Sequence, residues 1–155
     1  MTGNSASGAQ SKSSALLAIG VGGGIAGVLD LTQAFILFGW KIPLVIAAGL
    51  LGQQAINGGA GTLALGVLLH FFIACSASAV YYVTSRRLHF MTEHPLVCGF
   101  VFGAAVDEVM TLVVLPLSAL QARGPYTLHD LIQGLVVHMV LVGLPISFSV
   151  RRFAK

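Results

Sequence analysis

Long apolar runs, separated by short polar breaks, set the pattern of this chain. A helix needs about 20 mostly apolar residues to cross a bilayer. Four runs reach that length: about Ala15 to Gly39, Thr62 to Thr84, Pro95 to Leu120 and Leu128 to Val150. Each predicts a transmembrane helix. Ser13 and Ser14 are candidate N-caps for the first. Pro95 suits the start of the third, and Pro116 lies near its end. Thr127 and Asp130 form a T-x-x-D start that resembles a capping box, and Pro145 predicts a kink in the later half of the fourth.

A fifth run, "PLVIAAGLLGQQAIN" from Pro43 to Asn57, has 15 residues and ends at Gly58-Gly59-Ala60-Gly61. At 1.5 Å per residue it cannot cross an apolar core of roughly 30 Å. It predicts a short interfacial or re-entrant helix between the first two spans. Residues 1–14 are mostly Ser, Gly, Ala, Asn, Gln and Thr, and read as a disordered tail. The first run is too long for a signal-peptide core, and no A-x-A-like site follows it, so it is expected to be retained. The expected fold is an all-α integral membrane protein: a four-transmembrane-helix bundle in a single domain over 15–155.

Composition agrees. Of the 155 residues, 56% are hydrophobic and 8% charged. Soluble domains carry roughly 25% charged residues, so water is not the solvent that this surface fits. The net charge of +3 does not imply a nucleic-acid partner, because the basic residues cluster at the ends of apolar runs. In a four-span arrangement Lys12, Arg86, Arg87, Arg151, Arg152 and Lys155 fall on one face, against Lys41 and Arg123 on the other. That bias places both termini in the cytoplasm and favours four spans over five. Trp40, Tyr81, Tyr82 and Tyr126 fall where an interfacial aromatic belt is expected. Cys75 and Cys98 read as small core residues, with neither metal nor disulfide spacing. Ser76, Ser78, Ser118, Ser147 and Ser149 are expected to bond to the helix backbone. No nucleophile–base arrangement stands out, so no enzymatic activity is expected.

Gly22, Gly24 and Gly27 spell G-x-G-x-x-G, the dinucleotide fingerprint. That motif works after a strand, with an acid about 20 residues on. Here the residues upstream belong to the same apolar run, and no acid lies near residue 50. A nucleotide is therefore not expected. Gly20 and Gly24, Gly23 and Gly27, and Gly99 and Gly103 instead have the spacing that lets helices pack closely. The pattern makes the first and third helices the expected tight pair.

Only five acids exist, and Asp30, Asp107 and Glu108 lie within apolar runs. A charge at the bilayer centre costs at least about 2.5–3.5 kcal/mol. His70 and His138 are also mid-run, each in a G-x-x-x-H motif after Gly66 and Gly134. The parallel order suggests an internal duplication of a helix pair: glycines and an Asp, then G-x-x-x-H. Counting at 1.5 Å per residue puts Asp30 level with His70, and Asp107 level with His138. Such a pair lowers the cost of burying either group and can pass a proton. Gln33 shares the face of Asp30. Glu108 points about 100° from Asp107. Structural hydrogen bonding between helices is the plainer role for all of these. His89, Glu93 and His94 read as a solvated turn, and His129 has no evident partner.

The stretches "GLLGQQAINGGAGTLALGVLLHFFIACSASAVYYVTSRRL", "HPLVCGFVFG", "VVLPLSAL" and "VHMVLVGLPISFSVRR" resemble a group of short, uncharacterised bacterial proteins of about 150 residues with four inner-membrane helices. The resemblance covers about residues 20 to 152. It implies the topology and a bacterial inner-membrane setting, and no site residues. Three functions stay open. One is proton-coupled or small-solute permeation by Asp30, Gln33, His70, Asp107, Glu108 and His138, in a homo-oligomer. Another is a structural or accessory subunit of a larger membrane complex. The last is an electron carrier with haem b between His70 and His138; otherwise no cofactor or metal is expected.

Overall fold

The computed structural model describes residues 3–153, with side chains from residue 13 onward. Met1 and Thr2 of the tail, and Lys155 of the charge bias, lie outside the described residues. Within them there are helices and turns and no strand. Four helices are long and apolar enough to cross a membrane: Ser13–Phe38, Ala60–Ser85, Pro95–Leu117 and Leu128–Phe153. Their ends fall within three residues of those predicted from the apolar pattern. The outward side chains are large and apolar: Leu16, Phe38, Leu68, Phe72, Leu112 and Leu117 are 66–80% exposed. Lipid covers such a surface without penalty, whereas water does not. Four such helices are what a multi-pass membrane protein requires. The first helix continues back to Gly3, through the tail that composition reads as unstructured. Once an apolar segment has nucleated a helix, each added residue costs only its own propensity.

The fifth apolar run forms a short helix, Ile42–Leu51, followed by a 3₁₀ turn at Gln53–Asn57. Gly39 (φ 82°) and Gly52 (φ 83°) bracket it in the left-handed region, where a side chain is strained. Pro43 occupies its first turn, where a missing N–H is harmless. The short helix is sunk between neighbours: the Pro43 carbonyl rests on Gly66, and Gly49 accepts a 2.8 Å bond from the Ala119 N–H. Gly66 is six residues into its helix, about 9 Å from its start.

The glycines pack differently from expectation. The first and third long helices are not the tight pair. A Cβ on Gly23 would lie 2.6 Å from the Cys75 Cα, and one on Gly27 would lie 2.8 Å from the Phe71 ring, both on the second helix. Gly99 and Gly103 instead meet Ser147, His138 and Met139 of the fourth. Each glycine face thus serves the next long helix in the chain. Gly20 and Gly24 meet nothing within 4 Å and are not packing positions. Gly23 and Gly24 are about 100° apart, so of the two four-residue repeats only Gly23–Gly27 faces the second helix. Gly22, about 100° to the other side of Gly23, meets Ser78 of the second helix and Ile146 and Ser149 of the fourth.

The third and fourth helices each contain a π segment, Met110–Val114 and His138–Gly143. Each ends two residues before a proline, Pro116 and Pro145. A proline ring crowds the carbonyl four residues back, here Leu112 or Leu141, and both lie inside the widened turns. The distortion foreseen at Pro145 therefore has a twin at Pro116.

The end of the bundle nearest the termini is closed by Tyr81, Ile146 and Val150, all fully buried. Tyr81 is not part of an interfacial belt. Its hydroxyl donates to the Met91 carbonyl at 3.1 Å, and its ring meets Phe102 edge-on at 5.0 Å. Trp40 is exposed beside Lys41, as a belt residue would be.

Candidate functional site

The two Asp–His pairs form where depth counting puts them, but they are unequal. His138 Nδ1 lies 3.0 Å from Asp107 Oδ1 and 2.9 Å from the Gly134 carbonyl. A carbonyl only accepts, so Nδ1 carries a hydrogen. Asp107 is 7% exposed. Its carboxylate fits because Gly134 has no side chain: a Cβ there would lie 2.8 Å from Oδ1. In the first half His70 Nε2 donates to the Gly27 carbonyl at 2.9 Å. Asp30 Oδ2 is 3.9 Å from the same nitrogen, an ion-pair distance too long for a hydrogen bond. The G-x-x-x-H glycines differ in the same way, since Gly66 receives the Pro43 carbonyl and Gly134 a carboxylate.

Two cavities join the pairs. The larger, about 420 Å³, lies between the first, third and fourth helices, near the end that carries residues 118–127. Asp30, Gln33, Asp107, Asp130, Gln133 and His138 line it. The smaller, about 90 Å³, is lined by Asp30, His70 and His138 among apolar side chains, with Ile46 of the short helix as one wall. A volume of 90 Å³ holds about three waters. Asp30 and His138 line both spaces, so the two cavities are neighbours, and all four long helices contribute lining residues.

Glu108 does not join them. It is exposed on the outer face, together with Val101 and Leu112. Gln33 does line the larger cavity. Gln133, from the fourth helix, lines the same space. A signal was available, because Asp30-Leu31-Thr32-Gln33 and Asp130-Leu131-Ile132-Gln133 share D-x-x-Q. Asp130 has a local role as well: its Oδ2 accepts from Thr127 while its N–H donates to the Thr127 hydroxyl. The capping box is present.

Ser76, Ser118 and Ser147 donate to carbonyls three or four residues back, as expected. Ser78 does not: its Oγ is buried against Gly22 and has no hydrogen-bond partner among the described residues. Cys75 packs on Gly23, and both cysteines are free. No group of three or more His, Cys, Asp or Glu in metal-binding geometry occurs among the described residues. His89 and Glu93 line a separate cavity at the end of the bundle nearest the termini, and His129 lies exposed beside Asp130 at 3.7 Å.

Comparison of the chain with family models, curated proteins and solved structures finds no match.

Proposed function

We propose that this protein passes protons, alone or coupled to a small polar solute, through the interior formed by Asp30, His70, Asp107 and His138. The observation that carries the reading is their convergence on two adjoining cavities. Burying titratable groups inside a bilayer is costly, and structural hydrogen bonding alone needs no cavity beside them. Asp107 and His138 are the transfer pair, because 3.0 Å is a hydrogen-bond distance across which a proton can move. Asp30 and His70 need only a small approach or one bridging water. Gln33 and Gln133 offer amide donors and acceptors to a solute or to water in the larger space. The membrane we propose is a bacterial inner membrane with both termini cytoplasmic, on the charge bias and the resemblance.

The test is proton flux into liposomes loaded with a pH-sensitive dye. Asp107→Asn with His138→Gln is expected to lower flux at least tenfold. Glu108→Gln, on the outer face, is expected to keep it. Full flux in Asp30→Asn with Asp107→Asn refutes the proposal.

A second reading, an accessory subunit or homo-oligomer, has one observation in its favour: the Gly20 and Gly24 face is open and lies among exposed Leu16, Leu17, Ile25 and Val28. Co-purification with a stoichiometric partner supports it. Haem between His70 and His138 is not favoured, because the space they share, about 90 Å³, is too small for a porphyrin.

A further inference from the structure

A third cavity, of about 400 Å³, lies at the opposite end of the bundle from the 420 Å³ space, where the apolar helices stop. It is formed by the end of the second long helix, the short Phe90–Glu93 helix and the end of the fourth. Arg86, His89, Thr92, Glu93 and Arg151 line it. We infer that this cavity holds the phosphodiester headgroup of an anionic bilayer lipid.

Charge is the first argument. Arg86, Arg87, Arg151 and Arg152 gather at this end, and Glu93 is the one acid there; the other four lie in or near the opposite half. Two long helices also end here with their carbonyls outward, which by itself disfavours an anion. The guanidinium groups therefore supply the attraction, and their planar fork matches two phosphate oxygens at once. Arg86 and Arg151 come from different helices, so a phosphate between them also ties the second helix to the fourth.

Depth is the second argument. The cavity begins at Ser85 and Val150, where the apolar segments finish, which is the level of lipid headgroups. Basic pockets at that level between helices are suited to anionic headgroups. Leu88 and Phe90, on either side of His89 in sequence, are 44% and 52% exposed and offer apolar surface to an acyl chain. Thr92 Oγ1 and Ser85 Oγ already donate to backbone carbonyls, so their lone pairs face donors such as glycerol hydroxyls. Glu93 accepts from the same hydroxyls.

This inference is independent of proton transfer, and its test reads no flux. The protein is placed in nanodiscs of phosphatidylcholine alone, or with a quarter phosphatidylglycerol, and melted at low and high salt. The anionic lipid is expected to raise the melting temperature by several degrees, and high salt to erase most of the gain. Arg151→Gln is expected to lose the gain, and Arg152→Gln, outside the cavity lining, to keep most of it. If Arg151→Gln melts below wild type in phosphatidylcholine, native mass spectrometry of Arg151→Lys decides: a retained charge without the fork should release bound phosphatidylglycerol. An equal gain in Arg151→Gln and Arg152→Gln overturns the site. So does an equal gain from inorganic phosphate alone, which would make it a site for the free anion.

Discussion

Gly23→Ala, set against Gly24→Ala, is the most discriminating test of the packing. The two glycines are adjacent and chemically identical in sequence. At Gly23 an added Cβ would lie 2.6 Å from the Cys75 Cα and 2.9 Å from its N. Ordinary contact begins at 3.4 Å, and these are backbone atoms that cannot rotate away. The first and second helices must therefore part by about 1 Å locally, a gap that forfeits a quarter to a half of each van der Waals contact along the crossing. Between helices in lipid no hydrophobic gain offsets that loss. Overpacking of this kind costs about 1–3 kcal/mol. At Gly24 nothing lies within 4 Å, so alanine meets no clash and gains about 0.4–1 kcal/mol from reduced freedom in the unfolded chain. Reversible unfolding in mixed micelles, followed by circular dichroism, measures both. The reasoning fails if Gly23→Ala is as stable as wild type, or if the two variants are destabilised equally.

Four further outcomes are expected. A double-mutant cycle on Asp107→Asn and His138→Gln should give a coupling near the upper end of the ~0.6–1.7 kcal/mol range for polar contacts between membrane helices, and the Asp30–His70 cycle a smaller one, because 3.9 Å is no hydrogen bond. Gly49→Cys with Ser118→Cys, with Cys75 and Cys98 replaced by Ala, should form a disulfide on mild oxidation, since the Cβ positions lie 3.8 Å apart; failure to cross-link on a gel would contradict the sunken short helix. Thr127→Ala removes the capping box that opens the fourth helix and should cost ~1 kcal/mol by the same unfolding assay. Gly103→Ala places a methyl on the His138 carbonyl, and should lower proton flux more than Gly24→Ala does, by shifting His138 from Asp107.

The four spans and the short helix were legible because length and apolarity alone decide what crosses a bilayer, and neither depends on neighbours. The capping box was legible for a similar reason, since its partners are three residues apart. Depth counting also brought Asp30 to His70 and Asp107 to His138, because helical rise is fixed. Which helix met which glycine face was decided only in three dimensions. Two faces of the first helix both carry small residues, and the choice between Gly20–Gly24 and Gly23–Gly27 rests on where Cys75 and Phe71 arrive. Tyr81 looked like an interfacial residue until the turn after Arg87 folded back and offered it the Met91 carbonyl. The difference between the two Asp–His pairs was likewise invisible in the sequence, where their motifs match. The bundle breaks that symmetry: Pro145 widens the turn at His138 and Gly134 admits a carboxylate, while Gly66 is taken by the short helix. Apolar length fixes which segments are able to cross a membrane; contact between helices decides which buried acid bonds its histidine.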